Sequence, residues 1–139
     1  MRTAIIVLLL IMSSNLFASD DNFELHLGLK TYHVDRSPNE DGCLNESHDL
    51  IGIKYEYSIM GTYRNTHCRR SFYVGGSYQI TDRWGVDATI VSGYPKKMHK
   101  IGSLVVFAFP TYTVGNDKAA VRFIVIPHIL TGAGLIIKF

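Results

Sequence analysis

The last eight residues, Gly132-Ala133-Gly134-Leu135-Ile136-Ile137-Lys138-Phe139, constrain this chain more than any other stretch. Ala133, Leu135, Ile137 and Phe139 form one apolar row, and Gly132, Gly134, Ile136 and Lys138 form the other. Alternation with a period of two marks a β-strand with two different neighbours. An apolar row that ends on an aromatic suits a strand facing lipid, with the ring at the membrane interface. Lipid offers the backbone no hydrogen-bond partner, so a strand in that setting belongs to a closed barrel. The rest of the chain is therefore read for further strands.

The other end agrees. Met1-Arg2-Thr3 carries positive charge, residues 4–12 are an unbroken apolar run, and Ser13-Ser14-Asn15-Leu16-Phe17-Ala18 follows. The run is too short to span a bilayer and reads as a signal peptide over residues 1–18, cut before Ser19. Residues 19–139 then form one barrel domain. No later stretch approaches the roughly 20 uncharged apolar residues of a membrane helix, so the 47% hydrophobic content must be spread over strands. The net charge of +2 is small and dispersed, which excludes nucleic acid as an expected partner. Arg69-Arg70 and Lys96-Lys97 are local basic spots placed on loops. The expected location is the outer membrane of a Gram-negative bacterium, with phospholipid and lipopolysaccharide as partners and a monomeric state.

Strands follow in order. Phe23, Leu25, Leu27 and Leu29 alternate with Glu24, His26, Gly28 and Lys30. Residues 35–48 are polar and read as a loop. Ile51, Ile53, Tyr55 and Tyr57 oppose Gly52, Lys54, Glu56 and Ser58, giving a second strand, and a third runs over residues 59–65. After a polar loop at 66–70, Phe72, Val74, Gly76 and Tyr78 oppose Tyr73, Gly75, Ser77 and Gln79. A short turn leads to Trp84, Val86, Ala88 and Ile90 against Gly85, Asp87, Thr89 and Val91. Residues 94–100 are a basic loop, residues 101–114 a sixth strand broken by Pro110, and Val121, Phe123 and Val125 oppose Arg122, Ile124 and Ile126 in a seventh. With the final stretch this gives eight strands, short turns alternating with longer loops, as in an all-β, eight-stranded antiparallel transmembrane β-barrel.

With the N-terminus in the periplasm, the inward residues sort by height. Glu24, His26, Lys54, Glu56, Gln79, Asp87, Arg122 and Lys138 fall in the lower half, where both signs of charge are needed for pairing. Gly52, Gly75, Val91, Ile124, Ile126, Gly132, Gly134 and Tyr32 fall in the upper half. A small apolar upper interior over a polar floor suits one hydrocarbon chain, with Tyr32, Val91, Ile124 and Ile126 as walls; a barrel packed shut by its own side chains is the alternative. Pro110 and Pro127 lie near the ends of consecutive strands. Each removes a ladder hydrogen bond, and together they would open a lateral gap for a lipid.

The residues with chemistry gather on the outer side: His33, Asp35, Asn45, Glu46, His48, Asn65, Thr66 and His67. A histidine beside a hydroxyl can act as general base in acyl transfer. His33 and Thr66 are the candidates, although strict alternation from Phe23 puts His33 on the lipid-facing row, so a bulge or twist must turn it inward or leave it on the rim. The spacing of His33, His48 and His67 matches no compact metal motif, and no cofactor is expected. Cys43 and Cys68, the only cysteines, fall in two outer loops of an exported chain, where a disulfide is expected. Closing that loop of about 25 residues stabilises by roughly 3 kcal/mol in the chain-entropy model.

The order of these features resembles the PagP-like family of outer-membrane lipid A palmitoyltransferases. His33 follows the first strand as that family's essential histidine does, and Asn45-Glu46 resembles a pair in its first loop. Tyr63-Arg64-Asn65-Thr66 falls where the family carries an Asp-Ser pair, so Asn65 stands for the acid and Thr66 for the serine. Pro110, Thr113-Val114-Gly115, Ile126-Pro127 and the final Phe139 fit its proline-bearing strands and its end. The family's amphipathic helix ahead of the first strand has no counterpart. The resemblance implies a barrel that moves an acyl chain from phospholipid to lipid A, with His33 as base, Thr66 as hydroxyl participant and Asn65 as orienter. The alternatives are a non-catalytic barrel acting through its surface loops and a lipid A deacylase.

Overall fold

Eight strands in sequence order close into an antiparallel barrel: β1 (Phe23–His33), β2 (Ser47–Tyr55), β3 (Ser58–Arg64), β4 (Arg70–Gln79), β5 (Trp84–Val91), β6 (Val105–Gly115), β7 (Ala119–Ile126) and β8 (Leu130–Lys138). The computed structural model describes residues 23–35, 37, 39–98, 101–126 and 130–139. The expected signal peptide and Pro127 lie outside them. Closure is made by β1 against β8, with Glu24 opposite Lys138 and His33 opposite Leu130. Every strand therefore has two hydrogen-bonded neighbours.

The alternation read from the sequence sets the two faces. On β5 the pattern is unbroken: Trp84, Val86, Ala88 and Ile90 are exposed, while Gly85, Asp87, Thr89 and Val91 are buried. Ile51, Met60, Phe72, Val74, Val106, Val121, Phe123 and Leu135 continue the exposed apolar band around the barrel. The buried set is instead rich in polar and charged groups, including Glu24, Thr31, His48, Ser77, Asp87, Thr111 and Arg122. Apolar outside and polar inside is the inversion that fits an outer-membrane barrel. Aromatics collect at the end that carries the short turns: Trp84 lies 4.7 Å from Tyr112, Tyr57 stacks on Tyr78 at 5.2 Å, and Phe23 meets Phe139 at 5.7 Å. Such a ring suits a membrane interface.

Three boundaries differ from the sequence reading. The first is a bulge in β1, where the pairing register shifts between Leu27 and Leu29 against β2. Gly28 there has φ of +63°, the left-handed region that favours glycine. One extra residue flips the phase of the rest of the strand. Leu29 and Thr31 turn inward, and Tyr32, expected in the upper interior, points outward at 56% exposure. The second is β2, which starts at Ser47, so His48 is part of the barrel wall rather than of a loop. The third is β6, which starts at Val105, because Ile101 and Leu104 close a tight turn with mutual backbone hydrogen bonds.

Candidate functional site

The lower lumen is an ionic floor. Arg122 on β7 reaches Glu24 on β1 with Nη2 at 3.3 Å, and Asp87 on β5 with Nη1 at 3.3 Å. Glu24 also holds His26 Nε2 at 2.9 Å and Lys54 Nζ at 3.4 Å. Arg122 Nη1 donates to Ser77 Oγ at 3.4 Å. Five strands are tied across the barrel by these contacts, and charges of both signs compensate one another away from bulk water.

Above the floor lies a cavity of about 140 Å³. Its walls include Leu29, Leu50, Ile59, Val91, Phe107, Phe109, Ile124, Ile126 and Ile136, and its polar groups include Thr31, His48, Thr66, Thr89 and the floor. Tyr73 enters the lumen from β4 but does not plug it. Its hydroxyl lies against Gly52 and Gly61, where any Cβ would collide with it. The ring thus lies along the β2–β3 wall, and the two glycines make the niche that keeps the slot open. Tyr63, Tyr94 and Phe107 roof the cavity: the two tyrosine hydroxyls are 3.1 Å apart, and Tyr94 packs edge-on against Phe107 at 5.4 Å. Burial raises the Tyr94 phenol above its ordinary pKa, so it stays protonated and neutral.

Among the described residues the β6–β7 ladder runs over Thr111–Gly115 against Ala120–Ile124. It stops at Pro110, which has no N–H to donate. Pro110 itself faces outward, opposite Val86 of β5, and does not line the cavity. Ile124 and Ile126, on the β7 side of that ladder end, line the cavity.

His33 is brought to the inner side by the Gly28 bulge and meets a carboxylate there. Its Nδ1 lies 3.4 Å from Glu46 Oε1, and its backbone N–H donates to that same oxygen at 3.0 Å. The Glu46 carbonyl accepts from Thr31 N at 2.9 Å, so the carboxylate is held beside the end of β1. Both side chains of the pair are about nine-tenths buried, at 12% exposure each.

Asn65 is fully buried and organises the β3–β4 loop. Its Oδ1 accepts from His67 N and Arg69 N at 2.9 and 3.1 Å, and its Nδ2 donates to Ser71 Oγ and the Gly93 carbonyl at 2.9 and 3.0 Å. With all of these filled it positions its neighbour Thr66, which lines the cavity. Asn45 and Asn39 bind the Thr66 carbonyl, through Asn45 N at 3.0 Å and Asn39 Nδ2 at 3.0 Å. The Cys43–Cys68 disulfide joins the same two loops, with Cα atoms 6.1 Å apart. His67 faces Asp41 at 3.4 Å, and Lys97 reaches Glu40 at 2.6 Å.

The structure therefore brings Thr66, Val91, Ile124 and Ile126 to one cavity, with His33 beside Glu46 in the wall above it. It turns Tyr32 and Pro110 away from that cavity. Sequence reasoning did not assign His48 and Thr31 to the lumen. Running the β2 alternation back from Gly52 through Leu50 reaches His48, and a glycine inside a strand is a bulge signal that would have turned Thr31 inward. Among the described residues, no group of three or more His, Cys, Asp or Glu side chains is placed to hold a metal ion. The sequence matches no family model and no curated protein.

Proposed function

We propose that this protein is a PagP-like outer-membrane barrel that takes the acyl chain of a phospholipid into its lumen and transfers it to lipid A. The observation that carries this reading is the apolar cavity, which stands on a charged floor and is lined by Ile124 and Ile126 beside the end of the described β6–β7 ladder at Pro110. A hydrocarbon chain gains by entering apolar walls, and the ionic floor stops it because a methyl terminus cannot replace the partners of Arg122. His33 acts as the base. Glu46 supplies the carboxylate that orients its ring, a role that the residue before Thr66 does not fill, because Asn65 is spent on the loop. Thr66 presents its hydroxyl at the mouth of the slot.

The test is mass spectrometry of lipid A from cells expressing the protein, beside cells expressing His33→Ala. An added acyl mass that disappears in the variant supports the transferase. A missing acyl mass would instead make the protein a deacylase. Unchanged lipid A, with the folded barrel in the outer membrane, would reject the enzyme and point to a barrel that acts through its loops.

A further inference from the structure

His48 and Thr31 form a hydroxyl–imidazole pair inside the cavity. His48 Nδ1 lies 2.6 Å from the Arg64 carbonyl oxygen, which can only accept, so Nδ1 carries the proton. Asn45 Nδ2 donates to that same carbonyl at 2.9 Å and keeps it aimed. In the neutral ring Nε2 is then the acceptor, and Thr31 Oγ1 stands 2.9 Å from it. Both side chains are buried, at 6% and 4% exposure, and both line the cavity. The order hydroxyl, imidazole, fixed acceptor is the arrangement by which a weak nucleophile is activated: the base takes the hydroxyl proton while the far acceptor holds the tautomer. His33 and Glu46 form a separate pair outside the residues that line this cavity.

We propose that Thr31 and His48 are an acyl-transfer dyad that takes acyl esters with a short apolar tail. This rests on the lumen being an acyl slot, but neither on a phospholipid as donor nor on lipid A as acceptor. Thr31 Oγ1 attacks the ester carbonyl as its proton passes to His48 Nε2. The bond to the leaving alcohol then breaks, and that oxygen takes the proton from Nε2, leaving the acyl group esterified to Thr31. An incoming hydroxyl gives its proton to Nε2 as it attacks the acyl-threonine, and Thr31 leaves and recovers that proton. The net change is exchange of one alcohol for another, or for water, with no redox step. The cavity of about 140 Å³ is close to the size that holds one benzene ring, so the walls as they stand fit a tail of roughly six carbons.

The experiment uses the full folded chain in detergent micelles with 4-nitrophenyl hexanoate. The expected result is a burst of nitrophenolate close to one equivalent per barrel, with the hexanoyl group found on the peptide carrying Thr31. Thr31→Val keeps the shape and removes the hydroxyl, and it abolishes burst and adduct. Thr31→Ser restores both. His48→Gln slows the burst by about a hundredfold or more. A full burst in Thr31→Val, an adduct on another residue, or no burst from a barrel shown to be folded overturns the dyad. If lipid A is modified in cells and Thr31→Val still modifies it, the dyad fails while the lumenal transferase stands. If Thr31 is acylated and lipid A is unchanged, the dyad stands and the lipid A reading fails.

Discussion

Removing the guanidinium from the lumen floor is the sharpest test of how this barrel is held together. Arg122→Met keeps most of the side-chain volume and deletes two ion pairs of 3.3 Å each, together with the donation to Ser77. At an effective dielectric of about 20, one such pair is worth about 5 kcal/mol of gross attraction, most of which offsets desolvation. The loss is not shared equally. Glu24 keeps Lys54 and His26, whereas Asp87, at 5% exposure, has no other ion-pair partner among the described residues and already carries an unpaired Oδ1. Stranding one buried carboxylate places the cost at about 3 kcal/mol, the lower part of the range for a broken buried pair. Adding Asp87→Asn to Arg122→Met removes the stranded charge and recovers about half of that loss. Urea unfolding in micelles reports the change through Trp84, the single tryptophan, whose outward ring leaves the apolar phase on unfolding. A loss in Arg122→Met below about 1 kcal/mol, the worth of a solvent-exposed pair, would refute the reasoning and mean that lumen water solvates the floor.

Other outcomes follow from single features. Gly28→Ala strains the left-handed bulge and lowers stability by about 1 to 2 kcal/mol in the same urea titration, and an unchanged midpoint would mean that β1 pairs without the bulge. Replacing Cys43 and Cys68 by serine costs about 3 kcal/mol and leaves the barrel folded by circular dichroism, because the strand ladders do not depend on the loops. Gly52→Val fills the niche of Tyr73, swings that ring into the slot and abolishes binding of a fluorescent fatty acid, with the fold retained; undiminished binding would place the chain elsewhere. Glu46→Gln removes the carboxylate beside His33 and lowers lipid A acylation by about a hundredfold or more, whereas an effect below twofold would remove Glu46 from the site.

The alternating rows of β4, β5, β7 and β8 are legible residue by residue, because a strand with two different neighbours must alternate chemistry with a period of two. Alternation along the chain gave the eight strands, the lower-lumen charges Glu24, His26, Lys54, Asp87 and Arg122, and the apolar upper wall at Val91, Ile124 and Ile126, although Glu56 and Gln79, expected beside those charges, are exposed; the two cysteines of an exported chain gave the disulfide. Alternation carries phase only as far as the first inserted residue. The Gly28 bulge reverses it, sending Tyr32 out and Thr31 and His33 in, and whether an interior glycine bulges depends on the register that β2 and β8 impose from both sides. The partner of Arg122 across the floor is Glu24, 98 residues away, a pairing that exists only once β8 closes on β1. In the same way Glu46 becomes the carboxylate of His33, and the Arg64 carbonyl sets the tautomer of His48, through contacts between strands that no local spacing encodes. Local alternation settled which side chains share a face, whereas ring closure and one bulge decided which of them meet.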